Sequence, residues 1–126
     1  MMGGKRTVAQ RIVYGALEEA EREARRPGLE VFQQAIRNAM PQVQVRARRV
    51  GGTTYQVPTE VRPERQVALS MRWIIASARG GSGRPMVERL AREFLEASRG
   101  QGAAVRRKED LHRMADANRA FAHYRW

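Results

Sequence analysis

The sequence predicts a mainly α-helical single domain of about five helices with one protruding antiparallel β-hairpin. Three observations carry that expectation. Apolar residues recur at helical spacing in five separate segments, one stretch alternates with period two, and Gly and Pro clusters punctuate the boundaries. The chain has 126 residues, enough for one domain (1–126) with a modest core. It contains no internal repeat and no long low-complexity linker.

The first helix is predicted from about Thr7 to Arg25. Val8, Ile12, Ala16 and Ala20 lie four apart, flanked by Val13, Leu17 and Ala24, which makes a broad apolar stripe. Arg26-Pro27-Gly28 ends it. The second helix spans about Leu29 to Met40, with Phe32, Ile36 and Met40 on one face, and Pro41 stops it. The hairpin arm then occupies about 42–61. On its first strand Val43, Val45 and Ala47 share one face while Gln44, Arg46 and Arg48 share the other. On the return strand Tyr55, Val57, Thr59 and Val61 alternate with Thr54, Gln56, Pro58 and Glu60. Gly51-Gly52 supplies the positive φ angles of a tight turn. The arm therefore carries Arg46, Arg48 and Arg49 toward its tip, with Tyr55 and Gln56 returning beside them.

The third helix begins near Pro63, a residue suited to a first helical position. Val67, Met71, Ile74, Ile75 and Ala78 are its expected buried side. Arg79–Pro85 reads as a flexible basic loop. The fourth helix, about Met86 to Ser98, should bury Val87, Leu90, Ala91, Phe94 and Leu95. Arg99-Gly100-Gln101-Gly102 separates it from a last helix, about Arg106 to Ala122, that should bury Leu111, Met114, Ala115 and Phe121. His123-Tyr124-Arg125-Trp126 forms a short tail, able to stack on bases or to pin the terminus to the domain.

The net charge is +11 and the sequence pI about 11.5. Such an excess implies a polyanionic partner, nucleic acid first and an anionic membrane surface second. Nearly all of the positive charge is arginine, whose planar fork grips phosphate bidentately; the two lysines are Lys5 and Lys108. There is no cysteine, so no disulfide and no thiolate-bound metal. No apolar run is long enough to span a bilayer, and Met1-Met2-Gly3-Gly4-Lys5 has no signal-peptide core. Catalysis finds no support. His112 and His123 lack metal-ligand spacing, Glu109 and Asp110 diverge on a helix, and no Ser or Thr sits in a nucleophile motif. No cofactor is expected.

The charge is unevenly placed. Glu18, Glu19, Glu21 and Glu23 crowd the second half of the first helix, where local pairs with Arg22, Arg25 and Arg26 are the default. This acidic end should face away from a polyanion. Arg65, Arg72 and Arg79 are seven apart and line one face of the third helix, opposite Met71 and Ile75, and Arg62 extends the line back to the hairpin. With Arg46, Arg48 and Arg49 they outline a joint phosphate-binding surface. Arg106-Arg107-Lys108 opens the last helix, against its dipole, and Arg113 lies seven beyond Arg106. Gly3-Gly4-Lys5-Arg6 precedes a helix and could offer backbone N–H groups to phosphate. Trp73, beside Arg72, is expected to be partly core, with a half-exposed ring able to stack as the alternative.

RARRVGGTTYQVPTEVRPERQVAL followed by MRWII resembles small-subunit ribosomal protein seven, in its bacterial and organellar form. GAAVRRKEDLHRMADANRAFAHYRW resembles the C-terminus of that family, and GGKRTVAQRIVYGALE is similar to its early helix. The resemblance covers essentially the whole chain. It implies a helical domain with an extended β-hairpin (six helices in the complete family). It implies binding to the 3′ major domain of small-subunit rRNA, nucleation of head assembly, and a position near the mRNA exit channel and the E-site tRNA. Further implied partners are ribosomal protein eleven of the small subunit and, in some bacteria, the mRNA of the protein's own operon. The implied location is a cytoplasmic bacterial ribosome, with an organellar ribosome the variant, and no membrane. By position, the resemblance assigns rRNA contact to Lys5, Arg6, Arg46, Arg48, Arg49, Arg62, Arg65, Arg72, Arg106, Arg107, Lys108 and Arg113. It assigns Arg49, Gly51, Gly52, Tyr55 and Gln56 to a hairpin tip near tRNA and mRNA. Family members usually begin with a basic arm and a further helix ahead of the segment matching Met1–Lys5. Without them, part of the rRNA footprint goes and the Val8–Ala24 stripe loses a packing partner. The glycine-rich Arg79–Pro85 loop also departs from more basic relatives.

Read without the resemblance, helices plus a basic β-arm also suit an architectural DNA-binding protein. A module on an anionic membrane fits less well, because the arginines are spread over several elements.

Overall fold

The computed structural model describes residues 6–81 and 83–124, with side chains through 121. Five helices and one two-stranded ribbon follow in the order α1 (Arg6–Ala24), α2 (Gly28–Ala39), β1 (Val43–Val50), β2 (Thr53–Glu60), α3 (Pro63–Gly80), α4 (Met86–Ser98) and α5 (Ala103–Ala117). A 3-10 turn over Arg119–Tyr124 follows α5. The expected mainly helical fold with a hairpin is what forms.

The core forms because small residues let the helices approach. Ala16 and Ala20 of α1, Val31, Ala35 and Ala39 of α2, and Leu90, Ala91, Phe94 and Leu95 of α4 are buried together. α2 and α4 each touch every other helix, and Phe32 meets Phe94 edge to face at 5.5 Å between ring centroids. At the α1–α2 corner a Cβ on Gly28 would lie 2.6 Å from the Leu17 carbonyl oxygen, so only glycine fits there. Glu21 closes that corner by accepting the Gly28 N–H at 2.9 Å. Asn38 Nδ2 donates to the Ala97 and Ser98 carbonyls and so locks the end of α2 to the end of α4.

Two helices are rotated relative to the stripes expected from sequence. On α3 the buried residues are Leu69, Ser70, Trp73, Ile74 and Ala78, whereas Val67 and Met71 are 40% and 41% exposed. α5 packs on α3 with its Arg107 over the Trp73 ring. Val67, Met71 and Ile75 are left on the other flank, where Met71 and Ile75 help line an apolar recess of about 100 Å³ with Val13, Phe32 and Phe94. Ser70 is satisfied by donating to the Val67 carbonyl at 2.7 Å. On α5, Ala104, Val105 and Ala115 are buried and Met114 is exposed. This helix also begins at Ala103, not Arg106, and gives way to the 3-10 turn after Ala117.

The ribbon is held at its base. Val61 N–H donates to the Gln42 carbonyl at 3.1 Å, β1 packs on α5, and β2 packs on the 3-10 turn. Phe121 of that turn lies 4.9 Å from the Tyr55 ring. Gly51 and Gly52 have φ of +58° and +84°, so the turn has two central residues with positive φ, as expected.

Candidate nucleic-acid interface

A two-residue turn sets the ribbon register, and the register decides where its arginines go. Val50 pairs with Thr53, hence Arg48 with Tyr55 and Arg46 with Val57. Residues directly opposite in an antiparallel pair point to the same side. Arg46 and Arg48 therefore share a face with fully buried Val57, the face that packs toward the body. Both also interact within the protein. Arg49 pairs with Thr54 on the other face, together with Val43, Val45, Ala47, Gln56 and Pro58. The ribbon is thus not basic on one face and apolar on the other. Its tip, Gly51, Gly52, Thr53 and Thr54, is exposed, as are Arg49 and Gln56, and Tyr55 is half-buried.

The arginine row on α3 forms as the sevenfold spacing requires. Arg65, Arg72 and Arg79 are exposed on the side away from Ser70 and Ile74. Arg62 sits at the N-cap, exposed, directly after the ribbon. Gln66 Nε2 donates to the Val61 carbonyl at 2.9 Å and fixes this exit, so ribbon and row belong to one rigid unit. Met71 and Ile75 flank the row rather than oppose it.

Four described arginines have a carboxylate partner, and none of the four belongs to the α3 row. Arg26 pairs with Glu30, Arg84 with Glu88, Arg92 with Glu96 and Arg113 with Asp110. Among the described residues no carboxylate lies within ion-pair reach of Arg49, Arg62, Arg65 or Arg72. Their full charge and all five donors of each guanidinium remain available to an external anion.

Arg106, Arg107 and Lys108 do not act as one cluster, because successive helical residues point about 100° apart. Lys108 Nζ donates to the Asn38 carbonyl at 3.0 Å, a cation capping the C-terminus of α2. Arg107 places its guanidinium carbon 5.4 Å from the Trp73 ring centroid. Arg106 lines a large cleft between α1, α3, α4 and the start of α5. Since α5 starts at Ala103, these cations lie at or beyond the end of the first turn, where opposition from the dipole fades. Arg6 opens α1 and is exposed. Lys5 and the tail residues Arg125 and Trp126 lie outside the described residues, as do the side chains of His123 and Tyr124.

A second surface is electrically balanced. A cleft of about 970 Å³ between α1, α3, α4 and the start of α5 is lined by five glutamates and five arginines. Of the acidic residues of α1, Glu19 and Glu23 line it. The pairs expected within α1 are absent: among the described residues none of Glu18, Glu19, Glu21 and Glu23 bridges to Arg22, Arg25 or Arg26. Glu93 of this cleft has a buried, unpartnered Oε2. Burial, and then the neighbouring Glu96 charge, push its carboxyl above the usual range.

His112 was invisible as a site from sequence, and it is structural. Its Nε2 accepts the Gln42 N–H at 3.1 Å, just before β1, so α5 holds the root of the ribbon through a neutral imidazole. Burial, and then the Lys108 charge, lower its pKa. Among the described residues no group of three His, Cys, Asp or Glu could hold a metal ion, and no helix is long and apolar enough to cross a membrane.

A helical frame, a two-stranded arm and an exposed arginine row define a class: a small basic helical protein with a β-hairpin arm. The comparison with known proteins narrows it. The family model described as ribosomal protein S7p/S5e matches residues 1–119. Over all 126 residues the chain is 56% identical to the small ribosomal subunit protein uS7 of Chelativorans sp. and 57% to that of Dehalococcoides mccartyi, covering 81% of each relative. It is 56% identical over 124 residues to the same protein of Chloroflexus aggregans, covering 98% of this chain and 79% of the relative. The chain belongs to the ribosomal protein S7p/S5e family.

Proposed function

We propose that this protein is a structural component of the small ribosomal subunit that binds the 3′ major domain of its rRNA through α3 and the ribbon, and so nucleates assembly of the head. Family membership supports the structural ribosomal role and the association with small-subunit rRNA. The observation that carries the interface is the row Arg62–Arg65–Arg72: exposed, on one rigid face, and without a carboxylate. Phosphates are the ligand such a row fits, and shape rather than base reading gives selectivity on a folded RNA. Arg6 and Lys5 extend the proposed contact, whereas Arg106 lines the balanced cleft and stands outside it. Arg113 joins only by exchanging Asp110 for phosphate, which costs little for an exposed pair.

The ribbon tip, Arg49 to Gln56, is proposed to reach toward the E-site tRNA and the exiting mRNA. Ribosomal protein eleven of the small subunit and the mRNA of the protein's own operon complete the proposed partners, on a cytoplasmic ribosome. Shortening the tip while keeping Arg46 and Arg48 should spare assembly and disturb the exit site; lost assembly would contradict this division.

The direct test is affinity for the 3′ major domain RNA against salt. Six or more phosphate contacts give a log–log slope on the order of −5. A nearly flat response, or a preference for duplex DNA over the junction RNA, would overturn the reading. The latter result would favour an architectural DNA-binding protein.

A further inference from the structure

We propose that Trp73 is a positioning residue for RNA: its ring holds the Arg107 guanidinium over the flank of α3, so that Arg107 joins the Arg62–Arg65–Arg72 surface as a pre-set phosphate fork. The proposal rests on the rRNA reading and adds to it a residue that itself touches no RNA.

Trp73 is 7% exposed and belongs to the central core cluster, so its ring cannot turn away and no base can stack on it. Arg107 is exposed and comes from α5, the neighbouring helix on that flank. Its guanidinium carbon is 5.4 Å from the ring centroid, inside the roughly 6 Å range of cation–π attraction. Among the described residues Arg107 has no carboxylate partner.

The distinction matters for binding. A carboxylate restricts an arginine but occupies its N–H groups, as Glu96 does for Arg92. An aromatic face restricts the same side chain while accepting none of those hydrogen bonds in a carboxylate's manner. Arg107 is therefore ordered before RNA arrives and keeps its donors for a phosphate. A freely rotating arginine would lose that rotamer freedom on binding.

The test is a double-mutant cycle on the full chain, reading affinity for the 3′ major domain RNA against salt. Arg107→Ala should reduce the salt slope by about one. Trp73→Met should weaken binding about threefold when Arg107 is present and hardly at all in the Arg107→Ala background. Trp73→Phe, which keeps a ring face, should bind like the parent. Equal losses from Trp73→Met in both backgrounds would overturn the proposal, since they would mark a purely structural effect. Should Trp73→Met not fold, stepwise fluorination of Trp73 in a Trp126→Phe protein keeps the volume and weakens the ring's negative face. Affinity should then fall with each fluorine, and a flat series would overturn the proposal. The two readings fail separately. Arg107→Ala binding like the parent while Arg62, Arg65 and Arg72 matter sinks the Trp73 device alone. Indifference to the α3 row sinks the rRNA interface itself.

Discussion

The α3 side and the α4 side of this molecule use the same residue type in opposite ways. On α4, Arg92 sits 2.9 Å from Glu96, and nearby Arg84 sits 3.7 Å from Glu88, each one turn from its carboxylate. On α3, Arg65 and Arg72 are equally exposed and equally regular in spacing, but no carboxylate is within reach. Both patterns arise on amphipathic helices, of 18 residues for α3 and 13 for α4. The difference teaches that arginine count alone does not locate an interface in so basic a chain. What locates it is uncompensated charge set in a regular row beside the ribbon, since single arginines such as Arg22 and Arg25 also lack a carboxylate partner among the described residues.

The largest expected effect comes from breaking that contrast directly. Changing Arg62, Arg65 and Arg72 together to Ala should weaken binding to the 3′ major domain RNA on the order of a hundredfold at low salt. Changing Arg26, Arg84 and Arg92 together removes the same charge from paired positions and should cost less than about threefold. A filter-binding titration of the two proteins checks this. The acidic control is best placed at Glu18, Glu19 and Glu23, because Glu21 also caps the Gly28 N–H and its loss would disturb the fold.

A smaller effect concerns how the ribbon is held to the basic frame. His112 accepts the Gln42 N–H only when neutral, and its pKa in the fold is lowered. The unfolded chain therefore binds more protons below the ordinary histidine value of about 6.5, and stability must fall as pH drops below that value. Thermal melts from pH 7.5 down to 5 should show the decline, and His112→Gln should flatten it. An unchanged profile in that variant would remove His112 as the cause.

The smallest effect lies on the balanced side. Glu93 has a raised pKa, so its contribution is most favourable below the unfolded value and is lost as pH rises through the folded one. At neutral pH its buried, unpartnered oxygen is a cost. Glu93→Gln should raise the melting temperature by about 1–2 °C at pH 7.5 without changing RNA affinity. A changed affinity would draw this cleft into the interface.

Much of this was legible in the sequence, for identifiable reasons. α1, α2 and α4 follow from apolar spacing and from the Pro and Gly residues at their ends, and the α3 row follows from arginines seven apart. The charged triplet points to a start near Arg106, but Ala103 and Ala104, both strong helix formers, begin α5 three residues earlier. The ribbon faces were within reach. A two-residue turn at Gly51-Gly52 obliges Val50 to face Thr53, and counting outward places Arg46 beside Val57. The partners of Arg107, Lys108 and His112 were not within reach. Each contact spans 34 to 70 residues in sequence and depends on how α5 is rotated against α2 and α3. No local pattern encodes that rotation.

The central claim is that uncompensated arginines on α3, and not net charge in general, make the RNA contact. The most direct measurement is the salt slope of 3′ major domain RNA binding for the two triple variants beside the parent protein. The slope should fall by about three for Arg62, Arg65 and Arg72 changed together, and stay within about one of the parent for Arg26, Arg84 and Arg92. Equal falls in the two variants would contradict the account.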